Sequence, residues 1–406
     1  MLPLFYLIFA LPFNFNLPFR AWEQRKLGEL GEVTTGKAFS STSFDNQGEY
    51  LVITNKNISD SSRSQNIITN RISISDDEII QRYRLDGENI LVTMDGVNLG
   101  KTAMYSNANA LLAQRVGRIK SNQLEFIYQI TSSNTFLRTM QTLSVGNAIK
   151  HISLKQISEY SSLGPKDIIE RKKIGSFFKK LDNAIALHQR KLDALKLLKK
   201  GFLQQMVTKS GENIPKIRFD DFDDIWEQRI LGEFLKESKI KGSNGSLAKK
   251  LTVKLWRKGV VPKEEIYTGS SATQYYIRKT GQFMYGKLDF LNQAFGIVPL
   301  ELNGYESTLD SPAFDIEDSL NETFLLEYVS LARFYKYQGN IANGSRRAKR
   351  IHTDTFFEMP IPLPNSNEQQ KIGTFSQQID DLITLQQNKL EKLSSLKRFY
   401  LKNMFI

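Results

Sequence analysis

Residues 168–207 read IIERKKIGSFFKKLDNAIALHQRKLDALKLLKKGFLQQMV, and residues 366–405 read SNEQQKIGTFSQQIDDLITLQQNKLEKLSSLKRFYLKNMF. The two stretches align without gaps, and 16 of the 40 positions are identical. In the first, Ile174, Phe178, Leu181, Ile185, His188, Leu192, Leu195, Lys199, Phe202 and Met206 recur at alternating steps of four and three. Those steps put all ten on one helix face, as in the seam of a coiled coil. The second stretch gives Ile372, Ser376, Ile379, Ile383, Gln386, Leu390, Leu393, Lys397, Tyr400 and Met404 in the same register. Each helix would run about 60 Å at the α-helical rise. A seam that long needs a partner helix, and the other copy is the obvious candidate. His188 and Gln386 interrupt the two seams at one matching place, Lys199 and Lys397 at another. Such residues either fix register or sit on the rim with their heads in water.

Outward from the helices, the repetition continues. Trp22-Glu-Gln-Arg-Lys-Leu-Gly-Glu-Leu30 returns 204 residues later as Trp226-Glu-Gln-Arg-Ile-Leu-Gly-Glu-Phe234. Between these matched starts and ends, residues 35–145 and 235–343 share little. Each half therefore has a constant start, a variable middle and a constant end. The middles read as mixed α and β. Tyr50–Thr54, Asn89–Thr93 and Leu111–Ile119 suggest strands, bounded by Gly, Asp and Asn. Leu124–Leu143 suggests a helix, with Phe324–Phe334 as its counterpart. Residues 208–225 hold Gly211, Pro215 and a short acidic cluster, and read as a linker.

Composition narrows the chemistry. The chain has 406 residues, no cysteine and three histidines, His151, His188 and His352, far apart in sequence. Disulfides, thiolate metal sites and cysteine nucleophiles are excluded, a histidine zinc site is not expected, and no metal site is assigned. Lys plus Arg is 55 against 43 for Asp plus Glu, a formal charge of +12. That excess favours a polyanion, nucleic acid first. Residues 1–19 are apolar, but Pro3, Pro12, Pro18, Asn14 and Asn16 interrupt them and no basic start precedes them. They read as an atypical N-terminal arm rather than a membrane span or signal peptide, so a cytoplasmic protein with no membrane partner is expected.

Catalytic patterns are missing. No two glycines are separated by one residue, so the dinucleotide fingerprint and the related methyltransferase pattern are absent. No two prolines are adjacent, which excludes the Pro-Pro-aromatic loop that holds a flipped base for amino-methylation. Gly31 to Lys37 and Gly281 to Lys287 approach a phosphate loop but lack its Ser or Thr. No catalytic residues and no cofactor are assigned to this chain. The basic positions say more. Asn147, Lys150 and His151 follow Gly146, and Arg346, Arg347, Lys349 and Arg350 follow Gly344 at the equivalent point of the second half. Such loops can neutralise phosphates or set a guanidinium against guanine. Asn98 and Lys101 belong to a second polar glycine loop, Asp95-Gly-Val-Asn-Leu-Gly-Lys101, and Tyr276 with Arg278 interleaves aromatic and cation. These eleven residues are the candidate DNA contacts.

The arrangement resembles the specificity subunit of Type I restriction-modification enzymes. The likeness rests on the Trp-Glu-Gln-Arg-x-Leu-Gly-Glu opening of each half and on the run after each middle, clearest at Pro364, Glu368-Gln-Gln-Lys-Ile372 and Phe375. The first copy departs from it with Glu170-Arg171. The resemblance implies an α+β chain of two globular mixed α/β target recognition domains, separated by two long antiparallel coiled-coil helices and related by a pseudo-two-fold internal repeat. The expected division is an N-terminal arm over 1–21, recognition domains over 22–166 and 226–365, long helices over 167–208 and 366–406, and a linker over 209–225. The resemblance also implies that each domain reads one half of a split site in double-stranded DNA and that the helices set the spacer. Two modification subunits using S-adenosylmethionine and restriction subunits using ATP and Mg would be the partners. A self-contained methyltransferase or nuclease, and a coiled-coil scaffold without DNA, are the competing classes.

Overall fold

The structure, a computed structural model, describes residues 22–58, 69–146, 150–209, 211–264, 269–340 and 350–405. The expected N-terminal arm, Asn147 and the cations Arg346, Arg347 and Lys349 lie outside the described residues. The chain divides into two compact units, residues 1–187 with 390–406 and residues 188–389. The units cut across the sequence order, since each contains part of both long helices.

In unit one the strands are β1 (Trp22–Lys26), β2 (Glu32–Thr35), β3 (Tyr50–Ile53), β4 (Arg71–Ile72), β5 (Arg84–Thr93), β6 (Thr102–Leu112), β7 (Val116–Lys120) and β8 (Ser161–Pro165). A six-stranded sheet runs β2-β7-β5-β6-β3-β4, antiparallel except for β3 against β6. The helices are α1 (Leu27–Leu30), α2 (Asp77–Tyr83), α3 (Leu124–Thr131), α4 (Asn134–Leu143), α5 (Leu154–Glu159) and the start of α6 (Ile168–Met206). Two sequence expectations need correction. Leu111–Ile119 is not one strand: the chain turns between β6 and β7, with Arg115 in the left-handed region at φ 66°. Leu124–Leu143 is two helices, because Ser133 caps α4 by accepting from Phe136 N.

Unit two repeats the plan with different strands. They are β9 (Glu227–Ile230), β10 (Leu235–Ser238), β11 (Lys241–Asn244), β12 (Leu251–Val253), β13 (Val260–Pro262), β14 (Gln274–Ile277), β15 (Phe283–Tyr285), β16 (Phe295–Ile297), β17 (Glu306–Ser307), β18 (Ala313–Ile316) and β19 (Pro360–Leu363). Its sheets are β10-β18-β15-β16 and β11-β14-β17, with β12 paired to β13. The helices are α7 (Glu322–Val329), α8 (Ala332–Gly339), α9 (Thr353–Phe357) and α10 (Ser366–Met404). The expected Phe324–Phe334 helix is thus also two, split at Ser330 and Leu331.

The repeated opening has a structural reason. Its Trp-Glu-Gln-Arg strand pairs antiparallel with the strand entering the long helix, β1 with β8 and β9 with β19. Each middle is thereby closed at its base by its own first and last strands. Leu27 and Leu231, five residues into the motif, are fully buried. At the other end of the motif, Arg171 and Gln369 do the same work. Arg171 donates to Pro165 O at 2.6 Å and to Gln123 Oε1 at 2.6 Å, just before α3. Gln369 donates to Pro364 O at 2.9 Å and accepts from Asn321 N at 2.8 Å, just before α7. The departure in the first copy therefore ties together the same segments, with Arg171 donating where Gln369 accepts.

The long helices are antiparallel. In unit one, Phe177 meets Tyr400 edge-on at 5.1 Å and Lys397 meets Asp182 at 2.6 Å. In unit two, Phe202 meets Phe375 edge-on at 5.5 Å and Lys199 meets Asp380 at 2.6 Å. Partner numbers fall in one helix as they rise in the other, and each contact in one unit has its counterpart 198 residues on in the other. His188 Nδ1 lies 2.7 Å from Gln386 Oε1, a pair 198 residues apart and so its own counterpart. Every residue of both seams is buried or half-buried, Ile174, Leu181, Ile185, Leu192, Leu195, Ile372, Ile379, Ile383, Leu390 and Leu393 included. The polar seam residues pair across the seam rather than pointing into water.

Each core completes itself with helix residues. In unit one, Phe126, Ile127, Phe136 and Ile157 pack with Phe178 and Leu181, and with Leu393, Tyr400 and Met404 from the end of the chain. In unit two, Phe283, Phe314, Phe324 and Phe356 pack with Leu203, Met206 and Ile372. The linker joins that core. Ile217 and Phe219 pack against it, and Arg218 forms a two-bond ion pair with buried Glu368, which also accepts from Trp226 Nε1.

Candidate nucleic-acid interface

One backbone frame recurs at the same place in both units. In unit one, β5 ends at Thr93 and the next residue, Met94, is clamped on both sides. Its N–H donates to Arg115 O at 3.0 Å, and its carbonyl accepts from Ile152 N at 2.8 Å. In unit two, β15 ends at Tyr285 and Lys287 takes the equivalent position. Its N–H donates to Asp310 O at 2.9 Å, and its carbonyl accepts from Ile351 N at 3.0 Å. Ile152 and Ile351 are buried plugs, each followed by a short helix, α5 or α9. The residues just before them, His151 and Arg350, lie at the ends of the two basic loops. The frame therefore gathers three segments: a strand-end loop, a turn and the residue that ends each basic stretch, His151 or Arg350.

The side chains on the frame differ. In unit one, Asp95 accepts from Asn55 Nδ2, lies 3.6 Å from Arg115 Nε and bridges the backbone of His151. His151 also exchanges two backbone bonds with Val145, at 2.9 and 3.0 Å, and its side chain is exposed, as is Lys150. The loop from Asp95 to Lys101 is internally tied. Gly100 N donates to Thr93 O, Lys101 N to Asn98 O, and the Thr93 hydroxyl to Asn98 O. Asn98 and Lys101 are half-buried. In unit two, Arg350 Nη2 lies 3.6 Å from Asp310 and Lys239 lies 2.8 Å from Glu237. Burial pushes the Lys287 ammonium below its ordinary pKa, against Glu237 and Asp310, which favour the charge. The Glu237 bond raises Lys239.

Arg278 does not belong to this surface. It is fully buried, donating to Ser307 Oγ at 2.7 Å and Ser238 O at 2.9 Å, with longer bonds to the carbonyls of Thr308 and Ser311 at 3.4 Å. Burial pushes its pKa down to about 10, with Glu237 and Tyr276 opposing. The guanidinium ties down the turn that offers Asp310 O to Lys287, so it positions the frame and has no free edge for a base. Tyr276 is half-buried in β14, 5.8 Å from that guanidinium. Asn55, Arg115, Lys239 and Lys287 were not legible as candidates. Only the left-handed turn at Arg115 and the folding of distant segments bring them to the frame. Among the described residues, no group of three or more His, Cys, Asp or Glu is placed to hold a metal ion, and no helix is long and apolar enough to cross a membrane.

An internally duplicated chain with a recurring frame and dissimilar side chains is the architecture of a two-site recognition protein. The family model of the Type I restriction modification DNA specificity domain matches it twice, over residues 20–197 and 226–395, and the chain belongs to that family. It is 22% identical over 400 residues to the Type I restriction enzyme MjaVIII specificity subunit of Methanocaldococcus jannaschii, covering 93% of this chain and 90% of the relative. Its fold is similar to the Type I restriction-modification S subunit from M. genitalium, with a TM-score of 0.64 at 12% identity over 96% of this chain and 98% of that one. A chain from a structural study of complex assembly and conformational transition of the type I R-M system matches at a TM-score of 0.50 and 15% identity, covering 96% and 98%.

Proposed function

We propose that this chain is the DNA specificity subunit of a Type I restriction-modification assembly, each unit reading one half of a split site. The observation that carries the reading is the frame: the same backbone clamp at Met94 and Lys287, dressed with different side chains. Constant geometry would present each domain to DNA in the same way, and the different side chains would select different half-sites. The net charge of +12 supplies the sequence-independent attraction to phosphates.

The partners in this reading are double-stranded DNA, modification subunits and restriction subunits, with S-adenosylmethionine, ATP and Mg held by those subunits in the cytoplasm. The paired helices set the spacer between half-sites and offer the docking surface for the modification subunits. A mobility-shift assay with the full chain, alone and with its modification subunits, tests this. Sequence-selective binding that strengthens with the subunits is expected. Binding equal on all duplexes, or none with the subunits present, would return the chain to a scaffold.

A further inference from the structure

Val97 is fully exposed, at the apex of the loop that follows the framed Met94. A single exposed aliphatic side chain is ordinary. Unit two also has an exposed aliphatic side chain close after its framed residue: Leu288, one position past Lys287 where Val97 is three past Met94, is 44% exposed. Both project from backbone that is held in place. The Val97 loop turns on Gly96 and Gly100, at φ 72° and 83°, and Leu99 N closes it on Gly96 O at 3.1 Å. Leu288 is flanked by Lys287, clamped as above, and by Asp289, whose N–H donates to Gly286 O at 3.1 Å. Val97 is also β-branched and stiff at χ1, so holding it against a surface costs little side-chain entropy. Each aliphatic side chain follows a framed residue in the sequence, and the frames themselves carry charged or polar groups, Asp95, Arg115 and His151 in one unit, Asp310 and Arg350 in the other.

In a DNA major groove the one apolar group that distinguishes a base pair is the thymine C5-methyl. We propose that Val97 and Leu288 are specificity-determining residues, each packing on a thymine methyl in the half-site of its own unit. The proposal rests on the DNA-specificity reading above and adds the chemical group each side chain reads.

Methylation mapping first supplies the half-sites. The full chain, assembled with its modification subunits, is then titrated against duplexes in which each thymine is singly replaced by deoxyuridine, which lacks only that methyl. One such replacement in one half-site is expected to weaken binding about four-fold, the worth of one buried methyl. Val97→Ala should bind the thymine duplex with that loss already and lose nothing more on the deoxyuridine one. Leu288→Ala should do the same at the other half-site. A merely structural role would lower affinity for every duplex alike. No sensitive thymine, or a wild-type deoxyuridine loss kept by both alanine variants, would overturn the proposal. Failure of the specificity reading is distinguishable: no methylated motif would depend on the chain at all, and both readings would fall.

Discussion

Glu327 gathers several partners around one buried carboxylate. It is 2% exposed, pairs with Lys199 Nζ at 3.0 Å and with both terminal nitrogens of Arg257, and accepts from the Ser376 hydroxyl. Burial alone would raise its pKa. Arg257, Lys199 and Ser376 outweigh burial and hold it below its ordinary 4.5. A depressed carboxylate contributes stability above its unfolded pKa and loses it as the pH falls through the folded one. Acidification below about pH 4.5 should therefore weaken the wild type, and Glu327→Gln should flatten that acid limb. At neutral pH the same variant leaves Arg257 facing a neutral amide and Lys199 with Asp380 as its remaining carboxylate, and should cost about 1–3 kcal/mol, read by denaturant unfolding. Arg278 makes a contrasting residue-scale prediction. Arg278→Ala should cost about 1–3 kcal/mol through its orphaned carbonyl partners and, by loosening the turn it ties down, weaken binding at the unit-two half-site without changing which bases are preferred there. An altered base preference, rather than weaker binding, would return Arg278 to the DNA surface. In sequence, Tyr-x-Arg in a strand looks the same whether the guanidinium faces a groove or, as Arg278 does, closes a turn.

At the scale of elements, the helix seams were legible because a four-three spacing is written in the local sequence. The breaks inside α3–α4 and α7–α8 were not, since one serine cap decides the first and the second follows tertiary packing. The shared Lys-Ile-Gly of the long helices is explained only by what it touches. A Cβ on Gly175 would lie 2.6 Å from Phe126 N and 2.9 Å from Glu125 Cβ, at the start of α3. One on Gly373 would lie 2.8 Å from Asn321 Oδ1, the cap of α7. Gly201, in the same helix as Gly175, faces open space. Gly175→Ala should thus destabilise by about 1–3 kcal/mol through overpacking. Gly201→Ala should stabilise by about 0.5–1 kcal/mol through helix propensity. Opposite shifts in thermal midpoint would check the pair, and equal shifts would refute the packing account.

At the scale of the whole molecule, the duplication was legible and the division into units was not. Helix residues Leu393, Tyr400 and Met404 belong to the first unit's core although a whole middle intervenes in sequence. Removing residues 390–406 should therefore expose the protease-resistant core of unit one before that of unit two, as limited proteolysis would report. The proposed ruler makes a second prediction. Four residues inserted before Leu192 and four before Leu390 add about 6 Å to each helix. At about 3.4 Å per base pair the recognised spacer should lengthen by about one or two base pairs with both half-sites unchanged. An active variant with the old spacer would show that something else fixes the distance.

Whether one chain carries two independent readers on a shared frame is decided by mapping DNA methylation genome-wide before and after a domain exchange. Residues 226–364 are replaced by the matching part of a relative that keeps an acid at position 327, so that Lys199 retains its buried partner. Two independent readers should give a split motif in which one half-site changes while the other half-site and the spacer stay the same. A motif altered in both halves would contradict it.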